Sequence, residues 1–417
     1  MDRAILVSAD LAGTPQPVGR LWARTRKGTE TATFEYDHRW LGSRDAFSLE
    51  PALALGPGPH HTPTGKALFG AIGDSAPDRW GRLLMRRGER RRAAREQRPP
   101  RTLSEIDYLL LVSDQARQGA LRFSESEGGP FLGAGTRSAI PPLIELPRLL
   151  TASKHIEEED ETAEDLRLLL APGSSLGGAR PKASVRDRDG TLAVAKFPQK
   201  TDLTRAVLWE AVALKLAAAA GVVVPAWRVE MVADRPVLLL GRFDRDGAER
   251  IPFLSAMSML GAADREPHSY LEIADAIRQY GASPVEDLRQ LWRRMVFNIL
   301  ISNTDDHLRN HAFLYEGNDG WKLSPAYDLN PVPADIAPRV LSTSIDGDDP
   351  TASLELAFGV AAYFTLDAAA ARKIAGEAGR AVSRWRQAAA RLGLRKAEMD
   401  RMASAFDHPD LKNALKA

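Results

Sequence analysis

The pattern of apolar and polar positions predicts strands near the start of the chain and helices towards its end. Residues 4–7 and 31–36 are strand-like, and the second stretch shows the partial alternation of apolar and polar residues that is typical of β-strands. Over residues 285–302 the apolar positions recur at helical spacing and form one clean buried face. Alanine-rich helical patterns follow from 354 to 406. The patterns together predict an α+β fold with a large helical C-terminal part.

The middle of the chain predicts a mixture of both element types. Helices are predicted at 157–170, 202–220 and 270–280, and strands at 191–198, 226–232 and 236–240. An earlier helix is expected around Asp78, with Asp74 and Ser75 as cap candidates and Pro77 in its first turn.

A stretch rich in Gly, Ser and Pro at 124–145 predicts a linker or long loop. We therefore expect three parts: a β-rich module at 1–125, a second part at 146–245, and a helical part at 246–417.

Composition narrows the class of protein. The 417 residues suffice for about two to three domains of roughly 100–200 residues each. The absence of cysteine excludes disulfides, thiolate metal sites and cysteine nucleophiles, and it fits a reducing compartment. A net charge of +1 indicates neither a nucleic-acid nor a membrane partner. No stretch approaches the ~20 apolar residues of a membrane span, so we expect a soluble cytoplasmic protein without membrane contact.

One segment departs from the nearly even balance of charges in the chain. Residues 86–101 contain eight arginines, which is compatible with a nucleic-acid patch or with a solvated basic helix end. We favour the solvated helix, because no aromatic residues are interleaved to stack on bases.

A glycine-rich turn at SLGGARPK is the first candidate for chemistry. Glycine lets backbone N–H groups approach phosphate oxygens, and two cations stand beside this turn. The turn lacks the Walker A pattern, and a plain β-turn is the alternative interpretation. Its candidate ligand-binding residues are Gly177, Gly178, Ala179, Arg180 and Lys182.

Lys196 lies in the apolar strand that follows this turn. An ammonium on the inward face of a strand is costly to bury without an anionic partner, whereas on the outward face it would be unremarkable. Glu210 falls on the apolar stripe of the next helix and is the natural partner. Protein kinases use such a lysine–glutamate pair to present the lysine to phosphates.

The stretch TDDHLRN carries the strongest signal. Asp305 and Asn310 are five residues apart, the spacing of the catalytic aspartate and metal-binding asparagine in protein kinases. The order Asp-x-His-x-x-Asn places His307 after the aspartate, as in the lipid-kinase-like branch. Asp305 would accept the proton of an attacking hydroxyl, and His307 would shape the loop or contact phosphate.

Asp328 completes this group after a predicted hairpin at 311–315 and 321–323. The hairpin would return the chain so that Asp328 lies near Asn310, and both would offer Mg²⁺ the hard oxygen ligands that it prefers. A metal-hydrolase site built from His307, His311 and Asp328 is the alternative.

The run GRFDR lies where a kinase would have the hinge between its lobes. Backbone groups of Gly241, Arg242 and Phe243 can hydrogen-bond adenine, and the Phe243 ring can pack on it. A simple strand end is equally consistent with these residues.

Across most of its length the chain resembles the HipA family of bacterial serine/threonine kinases, the toxins of type II toxin–antitoxin modules. The motifs that carry the resemblance are FEYDHRWLG, the residues 78–81, SLGGARPK, AVAKFP, GRFDR, TDDHLRNHAFLY and LSPAYDLNP. The resemblance implies a bilobal fold like that of protein and lipid kinases, with 146–245 in the N-lobe and 246–417 as the C-lobe. The chain departs from the more usual TDGHxKN in Asp306 and Arg309, and Asp306 would add a negative charge beside the metal site.

The same resemblance implies a function. It implies phosphorylation of a protein serine with ATP and Mg²⁺, with aminoacyl-tRNA synthetases as family targets, and inhibition by a helix-turn-helix antitoxin that carries the complex to DNA. It also makes Ser175, with Ser174 beside it, the candidate for autophosphorylation. Two other functions stay open: a small-molecule or lipid kinase on the same core, and a non-catalytic corepressor.

Overall fold

A computed structural model describes residues 2–134, 140–170, 178–317, 320–347 and 349–417. The chain divides into two compact units. Unit 1 comprises residues 1–200 and 230–254, and unit 2 comprises 201–229 and 255–417. The predicted three-part division of the chain stays a prediction.

Unit 1 contains most of the strands. Up to residue 200 its elements are β1 (Asp2–Leu11), β2 (Thr14–Arg26), β3 (Thr29–Tyr36), α1 (His38–Leu41), β4 (Pro59–His61), α2 (Gly70–Gly73), α3 (Arg79–Arg95), α4 (Glu105–Leu111), β5 (Leu121–Ser124), α5 (Leu146–Glu158), α6 (Ala163–Leu170), β6 (Lys182–Arg186) and β7 (Leu192–Lys196). The chain continues through α7 (Ala206–Ala219), which belongs to unit 2, to β8 (Trp227–Val232), β9 (Arg235–Gly241), β10 (Arg245–Asp246), β11 (Glu249–Arg250) and β12 (Phe253–Ser255).

Two antiparallel sheets organise unit 1. The first has the order β4-β3-β2-β1-β5, and consecutive strands pair along most of it because β1, β2 and β3 are joined by tight turns. The second has the order β6-β7-β9-β8. Of β8, the residues from Glu230 onward belong to unit 1. The second sheet carries the candidate lysines, Lys182 on β6 and Lys196 on β7.

Helix α3 packs into the same core as the second sheet. Trp80 and Leu84 are buried together with apolar residues of α5 and α6 and with the inward side chains of β6, β7 and β9. Burial of a large apolar side chain stabilises by about 2–3 kcal/mol, so this contact is a substantial part of the core. The N-terminal part of the chain therefore helps to build the sheet that carries the candidate lysines.

Unit 2 is mainly helical. From residue 255 its elements are α8 (Ala256–Met259), α9 (Tyr270–Tyr280), α10 (Pro284–Ile301), β13 (Ala312–Tyr315), β14 (Trp321–Leu323), α11 (Leu354–Gly359), α12 (Ala368–Val382), α13 (Trp385–Arg391), α14 (Lys396–Arg401), α15 (Ala403–Phe406) and α16 (Pro409–Ala414).

Helix α10 is the central support of unit 2. The predicted apolar face is confirmed: Leu288, Leu291, Trp292, Met295 and Ile299 are all buried. No helix in the described part of the chain is both long and apolar enough to cross a membrane.

Two predicted elements are wrong in detail. The single helix at 157–170 is instead the end of α5 and the whole of α6, because Glu159 adopts φ +58° and the α-helix cannot continue through it. A new helix then starts where Thr162 and Asp165 exchange capping hydrogen bonds. The helix near Asp78 begins at Arg79 with Asp78 itself as N-cap, so Asp74, Ser75 and Pro77 lie outside it.

Candidate active site

The end of α10 sets the position of the TDDHLRN loop in unit 2. Ser302 ends the helix in a left-handed conformation with φ +51°, and the Asn303 amide donates a 3.1 Å hydrogen bond back to the Asn298 side chain. The loop therefore leaves a buried helix at a defined angle, which gives the candidate residues a rigid base.

Asp305 and Asn310 are brought together by this loop. The Asn310 Nδ2 donates a 2.6 Å hydrogen bond to the Asp305 carbonyl, across a short turn at Leu308–Asn310. The Asp305 side chain is 62% exposed, and its Oδ1 lies 3.8 Å from the His307 Nε2. Because the Asn310 nitrogen is engaged with the backbone, its amide oxygen is the atom of that side chain suited to face a cation.

Asp306 points the other way, into unit 2. Its carboxylate accepts hydrogen bonds from the Tyr270 hydroxyl at 2.7 Å and from the Ser342 N–H at 2.9 Å. Burial raises the pKa of Asp306 to about 7, despite the hydrogen bonds that favour its charged form. The expectation that Asp306 adds its charge beside the metal site is wrong, since its side chain is 1% exposed and supports the loop from inside.

His311 also belongs to the inner side of the loop. The ring is buried, its Nε2 lies 3.2 Å from the Asp306 carbonyl oxygen, and it packs edge-on against Tyr270. Burial lowers the pKa of His311 to about 3, so the ring is neutral at physiological pH. Among the residues that the structure describes, no group of three or more His, Asp and Glu side chains is placed to hold a metal ion.

The chain returns to the loop through a hairpin. The predicted pairing is confirmed: β13 and β14 are antiparallel, with Phe313 opposite Leu323. Beyond β14 the Tyr327 hydroxyl donates a 2.7 Å hydrogen bond to the Arg309 carbonyl, so the residue before Asp328 contacts the residue before Asn310. Asp328 itself has φ +59°, a left-handed conformation that is uncommon for residues other than glycine and clusters at functional sites.

In unit 1 the two candidate lysines are partners across the β6–β7 ladder. Lys182 pairs directly with Lys196, so both side chains lie on the same face of the sheet. Both residues are buried, with relative exposures of 2% and 8%. Two ammonium groups side by side repel each other, and this arrangement suits a face that binds an anion.

The Lys182 ammonium has a carboxylate partner that sequence patterns did not indicate. Its Nζ lies 3.0 Å from the Asp78 Oδ2 at the start of α3, 104 positions earlier. Both side chains are almost fully buried. Asp78 was recognisable only as part of a helix start, and its link to Lys182 depends on the packing of α3.

The glycine-rich turn is described in part. Gly178 has φ +90°, where a side chain would be strained, and Ala179 and Arg180 follow it towards β6. Gly177 lies outside the described residues, as do the autophosphorylation candidate Ser175 and its neighbour Ser174.

The predicted hinge residues lie at the end of β9. Gly241 pairs with Ala193, and the Arg242 N–H already donates to the Leu192 carbonyl at 3.0 Å. The Arg242 guanidinium is buried and holds the Asp244 carboxylate at 2.5 and 2.6 Å.

Because the Arg242 N–H already donates to the Leu192 carbonyl, it cannot bind adenine. The proposed contacts of Gly241 and Phe243 with adenine stay predictions. The Phe243 ring lies 6.4 Å from that of Phe253. Lys196 and Glu210 belong to different units, and their pairing also stays a prediction.

Comparison with known proteins decides the family. The model of the HipA-like C-terminal domain matches residues 174–406, which is more than half of the chain. The chain belongs to the HipA-like family. The match begins at the glycine-rich turn and includes the β6–β7 lysines, the TDDHLRN loop and Asp328, so the predicted resemblance is confirmed.

Two curated relatives of this HipA-like protein share parts of its sequence, and both carry the name "Putative kinase". The first, Y4mE of Sinorhizobium fredii, is 28% identical over 194 residues, covering 40% of this chain and 44% of the relative. The second, from Haemophilus influenzae, is 31% identical over 101 residues, covering 22% of this chain and 29% of the relative. The chain thus spans less than half the length of either relative.

A solved structure matches along nearly the whole HipA-like chain. It is described as the Shewanella oneidensis MR-1 toxin–antitoxin system of HipA, HipB and operator DNA. The TM-score is 0.66 at 17% identity, over 99% of this chain and 96% of that chain. The match confirms the predicted fold class, α+β with antiparallel sheets in the N-terminal part and a helical C-terminal region.

Proposed function

We propose that this HipA-like protein is an ATP- and Mg²⁺-dependent protein serine/threonine kinase. The observation that carries the proposal is the geometry of the TDDHLRN loop. Asp305 presents an exposed carboxylate, while the adjacent Asn310 amide is fixed to the Asp305 backbone. This is the arrangement that a hydroxyl-phosphorylating enzyme needs, with one group for the nucleophile and another for the metal.

Asp305 would act on the attacking hydroxyl. An exposed carboxylate can orient a serine or threonine hydroxyl and accept its proton as phosphate transfer proceeds. The buried neighbour Asp306 holds the loop rather than the substrate, because its oxygens are occupied by the Tyr270 hydroxyl and by backbone N–H groups.

The residues present fit a magnesium ion. Asn310 and Asp328 supply an amide and a carboxylate oxygen, and the Tyr327–Arg309 hydrogen bond keeps their two segments together. When bound, the ion would neutralise negative charge on the transferred phosphoryl group. His307 would contact phosphate or fix the loop beside Asp305.

The strand pair of unit 1 would hold the nucleotide phosphates. Lys182 and Lys196 stand opposite each other on one face, next to the turn that contains Gly178, Ala179 and Arg180. Ammonium groups and backbone N–H groups are the donors that bind phosphate oxygens in proteins. Glu210 would orient Lys196, and the backbone of Gly241 and Phe243 would contribute to adenine binding.

The family supports a role as a toxin. The matched Shewanella protein is described in a complex with HipB and operator DNA. We propose that this chain phosphorylates a translation-related protein such as an aminoacyl-tRNA synthetase. A helix-turn-helix antitoxin would restrain it, and contact with DNA would be indirect, through that partner. Ser175 is the proposed autophosphorylation site.

Phosphate transfer to protein from γ-³²P-labelled ATP tests the proposal. We expect Asp305→Asn to lower incorporation about 10²–10⁴-fold, because the variant loses the proton acceptor. Asp264→Asn is the matched control: it removes another exposed carboxylate, 2.9 Å from Arg309, that has no assigned role. Equal incorporation by Asp305→Asn and the wild-type chain would contradict the assignment.

Two other outcomes identify the alternatives. Consumption of ATP with a small molecule, without labelling of protein, would indicate a small-molecule or lipid kinase. Failure of ATP with Mg²⁺ to raise the thermal midpoint would favour a non-catalytic corepressor.

A further inference from the structure

Stability alone does not explain the ion pair between Lys182 and Asp78. Both side chains are nearly excluded from water, with exposures of 3% and 4%. Taking two charges out of water is costly, and apolar side chains of similar size would stabilise such a site as well or better. The burial of this pair therefore points to a use for a fixed ammonium at the start of β6.

The start of α3 contacts both ends of the segment from Gly178 to Lys182. The Trp80 indole N–H donates a 3.0 Å hydrogen bond to the Lys182 carbonyl, and the Trp80 backbone N–H lies 3.4 Å from the Gly178 carbonyl oxygen. Asp78 and Trp80 thus hold the side chain of Lys182, its backbone and the beginning of its segment.

Asp78 is itself held in place. Its Oδ1 accepts a 2.8 Å hydrogen bond from the Gly81 N–H, as the N-cap of a 17-residue helix, while its Oδ2 faces Lys182. Trp80 and Leu84 bury the same helix in the core of the sheet. The carboxylate is therefore rigid, and it constrains where the ammonium can lie.

We propose that Asp78 is a positioning residue for phosphate binding: it fixes the Lys182 ammonium that binds ATP. This inference rests on the proposed function. Lysine has three N–H donors, so Lys182 can keep Asp78 and still donate to a phosphate oxygen. Asp78 and Trp80 precede the 174–406 region of the family model, so the N-terminal part of the chain completes the nucleotide site of the HipA-like domain.

Asp78→Asn tests this role with little change in shape. Asparagine is as good an N-cap as aspartate, so the substitution removes the charge and keeps the cap. Affinities of the full chain for ATP with Mg²⁺ and for adenosine would be measured by calorimetry. We expect ATP to bind about tenfold more weakly, the effect of one charge-assisted hydrogen bond. Adenosine has no phosphate, so its affinity should stay unchanged.

Glu105→Gln, at the start of α4, is the matched control, because its partner Arg82 lies near the same end of α3 as Asp78. It breaks the 2.5 Å pair of Glu105 with Arg82, which does not involve Lys182, and both affinities should stay as in the wild-type chain. An unchanged ATP affinity in Asp78→Asn, or an equal loss for ATP and adenosine, would overturn the proposal while the kinase function stands. If the wild-type chain binds neither ligand, the proposed function fails and this inference with it.

A second variant allows the test to be made if the first does not fold. If Asp78→Asn does not give the wild-type circular dichroism spectrum, Asp78→Glu replaces it, because glutamate keeps the charge and moves the carboxylate by one methylene. Weaker ATP binding with unchanged adenosine binding supports positioning. Unchanged ATP binding in Asp78→Glu contradicts it.

Discussion

The loop of unit 2 and the β6–β7 strand pair of unit 1 hold their candidate residues in different ways. In the loop, two neighbouring aspartates have separate tasks: Asp305 is exposed, and Asp306 is buried among hydrogen-bond donors. In the strand pair, Lys182 is at once a buried part of the structure and a candidate ligand for phosphate. Substitutions should therefore separate stability from activity in the loop but affect both at Lys182.

The largest effect on stability is expected from Asp306→Ala. Removal of the carboxylate leaves the buried Tyr270 hydroxyl and the N–H groups of Ser342 and Thr343 without their acceptor, and each such loss at a buried group costs about 1–3 kcal/mol. We expect the free energy of unfolding to fall by about 4 kcal/mol, measured by urea denaturation. Asp305→Ala should change it by no more than about 0.5 kcal/mol, because that side chain is exposed. Similar losses in the two variants would remove the distinction between these aspartates.

Lys182→Ala should combine both kinds of effect. It removes the ammonium that faces the buried Asp78 carboxylate, so we expect the free energy of unfolding to fall by about 3 kcal/mol and ATP binding to weaken. In a double-mutant cycle, Asp78→Ala and Lys182→Ala together should cost less than the sum of the single changes. Lys200→Ala, at a side chain that is 70% exposed, is the control. Additive effects in the cycle would show that the two charges do not stabilise each other.

A smaller effect concerns pH and sharpens the description of Asp306. Its pKa is raised from 3.8 to about 7 by burial, so the folded state holds this proton over a pH range in which the unfolded chain has lost it. The stability contribution of this group is therefore greatest below pH 4, decreases as pH rises to about 7, and is level above that.

Asp306→Asn has no proton to lose and should lack this pH-dependent contribution. The difference between wild type and variant isolates it, since Glu50 and Asp287 also have raised pKa values. Urea denaturation at a series of pH values gives the measurement. A difference that does not vary between pH 4 and 7 would contradict the shifted pKa.

Elements with a strong local pattern were predicted well. Helix α9 has the predicted bounds, and α10 differs from its prediction by one residue at each end, because apolar residues repeat along one face of each helix. Strand β2 was not predicted: Pro15, Pro17 and several arginines interrupt its apolar alternation. Pro17 is accommodated where the β1–β2 register shifts, between Val7 and Ser8, and such irregular positions tolerate a residue without an N–H.

The residues of the candidate site also divide into those that local sequence predicts and those that depend on tertiary contacts. Asp305 and Asn310 were found from their five-residue spacing, since a short loop brings such neighbours together whatever surrounds it. The opposite directions of the Asp305 and Asp306 side chains could not be predicted, because they depend on Tyr270 and Ser342, each 36 positions from Asp306.

By itself, the sequence determined the α+β class, the helical C-terminal part, the hairpin before Asp328 and the spacing of the loop residues. These features depend on contacts between residues close in the chain, and local patterns record such contacts. Only the tertiary structure decided that Asp306 is a buried support, that Lys182 and Lys196 stand opposite each other, and that Asp78 holds Lys182. Those contacts arise when separate segments pack into one core, and the packing of α3 against the β6–β7 sheet leaves no periodic signal in the chain.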